Sequence, residues 1–233
     1  MSTLRGALAR AKRYVLDPVA RSELVTRVRF AREVHQDVTL SQRDRYPLLF
    51  GTARDLLADV PAPTILSFGC SAGEEVLSLQ DYIPGATIVG AELNRARLRQ
   101  CRRLPPHPNR IFVESTAATI AAHGPYDAIF CMAVLTRRPH TVEAENWRSI
   151  RDFYPFDRFA GTLGFLASHL RAGGLLVVEH TLYRVEDVAG LPLRAVTGPG
   201  TYPAKGPRFD PAGDRIEPQP VVSRVFRKVA DTG

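Results

Sequence analysis

The chain has 233 residues, with 31 Lys or Arg against 24 Asp or Glu, a net charge of +7, and 45% apolar residues. These are ordinary globular values, so wholesale disorder and a disulfide-stapled mini-protein are excluded. The length suits one domain, or one domain with a small extension.

Residues 1–60 read as helical. Leu4, Leu8 and Val15 mark one amphipathic helix, with Pro18 in the break after it. A second segment runs over 19–34. Ser41, with Asp44 three residues on, caps a third, whose apolar stripe is Leu48, Leu49, Leu56 and Leu57. Pro61-Ala62-Pro63 is the expected boundary, dividing a helical extension or cap (1–61) from a main domain (62–233). Strand and helix then alternate: strand 64–68, helix 74–82, strand 87–91, helix 95–104, strand 111–113, strand 127–135, helix 156–170, strand 175–179. The alternation predicts a mostly parallel sheet with helices on both faces, an α/β fold of Rossmann-like type. Residues 193–197 and 221–229 are further strand candidates. The Pro- and Gly-rich stretch 198–220 between them reads as a loop.

No apolar run approaches the roughly 20 residues of a membrane helix. The basic N-terminal stretch MSTLRGALARAKRYV lacks a signal-type apolar segment, so a cytoplasmic protein with no membrane partner is expected. Cys70, Cys101 and Cys131 are too few and too scattered for a disulfide framework or a zinc site, and no metal is expected. The positive charge is almost all arginine, the only lysines being Lys12, Lys205 and Lys228. Together with the alanine and proline excess this reads as codon bias, and nucleic acid is not the favoured partner. The oligomeric state is not legible.

The most informative segment is ILSFGCSAGEEVLSLQDY, residues 65–82. A strand ends at Gly69, the chain turns, and a helix begins near Gly73. Glycines let backbone approach a ligand, and ligands of open α/β sheets sit beyond the carboxyl ends of the strands. The second strand ends in Glu92, 23 positions beyond Gly69, a spacing at which a carboxylate accepts ribose hydroxyls. Placed at a cleft edge, Glu92 is expected to matter for ligand affinity and little for stability. These features point to an adenosine-containing ligand. Glu74 and Glu75 would repel a pyrophosphate, and the spacing is G-x-x-x-G, not G-x-G-x-x-G. The cationic S-adenosylmethionine suits an acidic loop better. Glu74 also fits a capping box, Ser71-Ala72-Gly73-Glu74, and Glu75 fits a solvent-facing position.

The run FGCSAGEE, then GAEL, YDAIFCMAVL and LRAGGLLVVEHTLY, resembles class I S-adenosylmethionine-dependent methyltransferases over residues 62–183. FGCSAGEEVLSL and IFCMAVL are most similar to the catalytic domain of chemoreceptor glutamate methyltransferases. Met132-Ala133 stands where those enzymes have an arginine-asparagine pair, and residues 1–60 do not match their helical domain. The resemblance implies a seven-stranded sheet whose last strand is antiparallel. It implies cofactor contacts from Gly69, Cys70, Ser71, Gly73, Glu74, Glu92 and Leu93. Ser115 and Thr116 would lie near the adenine, and Met132 and Ala133 at the methionine end. It does not identify the acceptor, whether small molecule, protein carboxylate or RNA.

Gly69-Cys70-Ser71-Ala72-Gly73 also spells G-x-S-x-G, the nucleophile elbow of α/β-hydrolases, with Ser71 as nucleophile and His180 as base. In that fold several strands precede the elbow; here it follows the first. A binding module that holds an adenosine ligand without chemistry is the third reading. For methyl transfer the candidates near the carboxyl ends of the fourth and fifth strands are His180 and Tyr183, with Cys131, His140 and Glu179; Cys131 reads first as a small core residue, His180 also fits a structural strand end, and Tyr183 either lines the acceptor pocket or packs beneath the tail. Trp147, Phe153, Tyr154, Phe156 and Phe159 form either a loop over the acceptor or a hydrophobic layer on the sheet. Arg95, Arg97, Arg99, Arg102, Arg103 and Arg110 form either a solvated face or an attractive surface for an acidic partner.

Overall fold

Short apolar runs rich in β-branched and aromatic residues make the sheet: β1 (Thr64–Phe68), β2 (Thr87–Glu92), β3 (Arg110–Glu114), β4 (Tyr126–Met132) and β5 (Leu170–Glu179). The computed structural model describes residues 16–30, 34–36, 41–196, 198 and 206–230. The strands alternate with α1 (Pro18–Arg29), α2 (Pro47–Leu56), α3 (Glu74–Tyr82), α4 (Arg95–Cys101), α5 (Ala117–His123), α6 (Pro139–Ala144) and α7 (Phe156–Ser168). Two more strands follow, β6 (Leu193–Ala195) and β7 (Val225–Lys228). The sheet order is β3-β2-β1-β4-β5-β7-β6. β1 to β5 run parallel, and β7 lies antiparallel between β5 and β6. The strand order reverses between β1 and β4, which opens a crevice at their carboxyl ends.

Both faces of the sheet are covered at its centre, which is why the central strands β1, β2 and β4 are mostly apolar. Successive residues serve opposite faces. Ile65, Ile88 and Phe130 join one core with Val76 and Leu79 of α3, while Leu66, Val89 and Ile129 join the other with Phe159, Leu163 and Leu166 of α7. The i, i+4, i+7 spacing of those three α7 residues puts them on one helical stripe.

The N-terminal third differs from expectation. The helix expected near Leu4 and Leu8 lies outside the described residues. Pro18 opens α1 instead of preceding it, because proline suits a first helical turn, and α1 ends at Arg29. Ser41 caps nothing; α2 begins at Pro47, again a proline start. Its buried residues are Leu49, Phe50 and Ala53, with Leu57 just beyond, whereas Leu48 is 62% exposed. Those residues share a core with Ile65, Val76 and Leu79, so the core continues across Pro61-Ala62-Pro63. Helix α5 was not expected; Thr116 and Thr119 form its capping box. β5 starts at Leu170, paired with Tyr126, with a register shift before Ala128. Within the proline-rich stretch, Arg208 and Phe209 are buried, and Phe209 bridges Arg215. That half is packed chain, not an open loop.

Candidate functional site

β1 runs into Gly69, whose φ is +76°, and a Cβ there would lie 2.6 Å from Val134 Cγ2. Glycine is therefore required twice over, by conformation and by space. The Gly69 and Cys70 N–H groups both donate to the Ala91 carbonyl, which ties the loop to β2. At Ser71 the backbone N–H donates to Glu92 Oε2 at 2.8 Å, and Glu92 Oε1 accepts from the Asn94 N–H at 2.6 Å. Glu92 thus clasps the glycine loop to the turn that follows β2. It is only 7% exposed, and burial raises its carboxyl above the usual range against the opposing pull of these N–H donors. The expectation of an edge carboxylate with little structural weight is corrected on this point.

The loop also decides the two glutamates. Gly73, in the left-handed region at φ +98°, is the N-cap of α3 and has no side chain to cap with, so the box from Ser71 to Glu74 does not form. Glu75 does not face solvent. It is half-buried, accepts a hydrogen bond from the Ser67 hydroxyl at 2.7 Å, and its loss of hydration pushes the carboxyl up to about 8.

A cleft of about 580 Å³ lies across the carboxyl ends of β1, β2, β4 and β5. Seven of the expected cofactor residues line it: Gly69, Ser71, Glu92, Leu93, Ser115, Met132 and Ala133. Four do not, each for a physical reason. Cys70 is buried, its thiol raised well above the usual range through contact with the Cys101 thiol and burial. A Cβ on Gly73 would meet Leu104 Cδ1 at 2.9 Å, so Gly73 faces the packing beneath the loop. Glu74 sits on the first turn of α3 outside the cleft, with a buried Oε2 that has no hydrogen-bond partner among the described residues. Thr116 uses its hydroxyl in the α5 cap.

Four non-glycine residues on the cleft wall hold left-handed backbone: Ser71 (φ +52°), Ala133 (+58°), Arg138 (+42°) and His180 (+54°). Such conformations persist only where surrounding structure enforces them, and they cluster at functional sites. The enforcement is visible here. Ala133 N–H donates to the Glu179 carbonyl, and His180 N–H donates to Glu179 Oε1 at 2.9 Å. The other Glu179 oxygen lies 2.6 Å from Arg224, a pair with side chains 4% and 3% exposed. His180 thus projects from a braced turn, its ring 5.9 Å from that of Tyr46.

Tyr183 is corrected. It is fully buried, its hydroxyl donates to the Tyr154 carbonyl, and it packs on Phe156 and Phe159 beneath the cleft. Cys131 is the core residue the sequence suggested, its thiol raised by burial. The aromatic group from Trp147 to Phe159 is a layer on the sheet; none of the five lines the cleft. His140 does line it, as do Pro139, Thr141 and Glu143 of α6. The α4 arginines lie outside it, Arg95 pairing with Glu114 and Arg97 with Glu23.

Sequence reasoning missed the remaining wall. Glu23, Thr26 and Arg27 of α1, together with Val34, His35 and Gln36, line the cleft, as does Asn94. His35 Nδ1 is 2.5 Å from the Tyr154 hydroxyl and Nε2 is 3.0 Å from the Thr162 hydroxyl, and burial holds its imidazole down at about 3. Only Asn94, an Asn placed before a helical run, had a local signal. Among the described residues no group of His, Cys, Asp and Glu has the arrangement of a metal site, and no helix is long and apolar enough to cross a membrane.

No family model matches the chain. Solved structures that resemble it include the plantazolicin methyltransferase BpumL in complex with SAH, at 15% identity and TM-score 0.44 over 78% of this chain. Another is SAM-bound CalS10, an amino pentose methyltransferase from Micromonospora echinaspora, at 20% identity and TM-score 0.41 over 60% of this chain. A third is monomeric WbdD, at 17% identity and TM-score 0.49 over 88% of this chain. This chain spans 61%, 52% and 48% of the respective lengths of those proteins.

Proposed function

We propose that the protein is an S-adenosylmethionine-dependent methyltransferase acting on a small-molecule acceptor. The observation that carries the reading is the meeting, in one cleft at the topological switch point, of the glycine loop and a buried carboxylate at the end of β2. Glu92 keeps acceptor capacity beyond its backbone bonds to Ser71, Leu93 and Asn94, since a carboxylate offers about four lone-pair sites. It would take the ribose hydroxyls, with Leu93 and Ser115 toward the adenine. Gly69 and Ser71 leave room for the methionine portion, and Met132 and Ala133 flank it. When bound, S-adenosylmethionine supplies an activated methyl group with a neutral leaving group.

What the chain itself must supply is mostly position. The strained turns at Ala133 and His180 face the cleft together, and His180 is the side chain placed to accept a proton from an acceptor hydroxyl or amine. A cleft of this volume, walled by α1 and residues 34–36, is of the size that takes small ligands, which favours a small acceptor over RNA or protein. The hydrolase reading lacks support: Ser71 is 7% exposed and its turn is clasped by Glu92. Native mass spectrometry of purified protein, followed by calorimetric titration with S-adenosylhomocysteine, tests the cofactor. Binding is expected, and its absence in a folded sample refutes the reading. An acceptor screen should then yield turnover that His180→Ala lowers while cofactor affinity stays unchanged.

A further inference from the structure

Beneath the β5 end of the cleft lies a buried charged cluster that the proposed chemistry does not use. Glu179 is the last residue of β5, and Arg224 stands one residue before β7. Glu179 Oε2 lies 2.6 Å from Arg224 Nε, with both side chains buried. Arg208 is buried beside them. Burial and the Arg224 charge hold its guanidinium down at about 10, against the opposing pull of Glu179 and Glu186. Arg208 Nη1 also donates to the carbonyls of Gly206 at 3.2 Å and Pro207 at 3.3 Å, and Gly206 lines the cleft.

A buried ion pair is a poor source of stability. Removing two charges from water offsets most of their attraction, and well-packed apolar residues of similar volume often stabilise as well or better. Apolar residues could not, however, hold the turn after β5. The Glu179 carboxylate accepts from the His180 N–H at 2.9 Å, and the Glu179 carbonyl accepts from the Ala133 N–H at 2.9 Å. Both recipients of that support are left-handed, a backbone state that persists only where its surroundings over-determine it. Arg224 grips the same strand end twice. Its carbonyl accepts from the Val178 N–H at 2.9 Å, and its guanidinium faces the carboxylate of the next residue along β5.

We infer that Arg224 is a positioning residue for the acceptor side of the cleft: it holds the Glu179 carboxylate against the His180 backbone, and so fixes where the His180 imidazole stands beside Tyr46 and a bound acceptor. The inference rests on the proposed function for the role of His180 and adds to it a residue from the C-terminal end of the chain. Arg224 touches neither cofactor nor acceptor; it acts through Glu179. The effect on rate follows from geometry, since displacing a reacting group by about 1 Å can cost about a hundredfold.

The test uses the full chain. In wild type, nuclear magnetic resonance should show cross-relaxation between the His180 and Tyr46 rings, whose centroids are 5.9 Å apart, and slow hydrogen exchange at the His180 N–H. The double variant Glu179→Leu/Arg224→Met exchanges the pair for apolar side chains and leaves Glu186 to face Arg208. Its urea midpoint should stay near that of wild type, while the ring contact is lost and the His180 N–H exchanges fast. With an acceptor from the screen, its kcat should fall roughly ten- to a hundredfold at unchanged S-adenosylhomocysteine affinity. Arg224→Lys keeps the charge but not the planar fork, and should fall between the two in ring contact and in kcat. It keeps the inference testable if the double variant fails to fold. Wild-type ring contact or wild-type kcat in whichever variant folds overturns the inference, as does fast exchange of the His180 N–H in wild type. Ring contact and exchange are read without ligand, so a wild type that fails to bind S-adenosylhomocysteine refutes the proposed function and is told apart from a failure of the positioning.

Discussion

Replacing Glu92 separates its two roles. In Glu92→Ala the Ser71 and Asn94 N–H groups, now 2.8 and 2.6 Å from carboxylate oxygens, lose their acceptors inside the protein. Each buried donor left unpaired costs about 1–3 kcal/mol, so the variant should lose about 2–6 kcal/mol. That is a large share of a typical stability of about 5–15 kcal/mol. Glu92→Gln keeps one oxygen and orphans one donor. It also relieves the desolvation that raises the native carboxyl, so its loss should fall near the low end, about 1 kcal/mol. Both variants should weaken S-adenosylhomocysteine, the Gln form by roughly tenfold for one charge-assisted bond to ribose. Urea denaturation without ligand reads the first role, and calorimetric titration of the folded Gln variant reads the second. A Glu92→Ala protein within about 0.5 kcal/mol of wild type would refute the clasp, since substitutions free of such features stay in that range. Unchanged ligand affinity in Glu92→Gln would remove the carboxylate from the ribose.

Three further outcomes are expected. Glu75 carries a folded-state value of about 8 against its ordinary 4.5, so the folded chain holds this proton more tightly than the unfolded chain does. Its contribution is complete below about 4.5 and is lost as pH rises toward 8; the thermal stability of Glu75→Gln should therefore gain on wild type between pH 5 and 8.5, and parallel curves would contradict the burial argument. Glu179→Ala removes the carboxylate facing the buried Arg224, and urea midpoints should report a loss of about 3–5 kcal/mol, as for a broken buried pair. A fluorophosphonate probe should leave Ser71 unlabelled; covalent labelling there would restore the hydrolase reading.

The sheet was legible because parallel strands buried on both faces are written as short apolar runs, and helices between them as amphipathic ones. The runs at 64–68 and 87–91 appear within one residue of β1 and β2. The glycine loop and the place of Glu92 were legible for a related reason: a residue at a strand's carboxyl end has its position set by the strand itself. Where Glu75 and Tyr183 point was not. Both lie one or two residues past a turn, and whether such a side chain meets solvent, cleft or core depends on what packs against the turn. For Glu75 that is Ser67 of β1, and for Tyr183 it is Tyr154, 29 positions away. The N-terminal wall was the least legible part. Helix α1 has no strong apolar stripe, and its seat comes from Ser22 meeting Asn94 across 72 positions and from His35 meeting Tyr154 across 119. Local propensity reports only on near neighbours, so side-chain hydrogen bonds of that span exist only once the sheet has brought α4 and α7 to the two sides of one crevice.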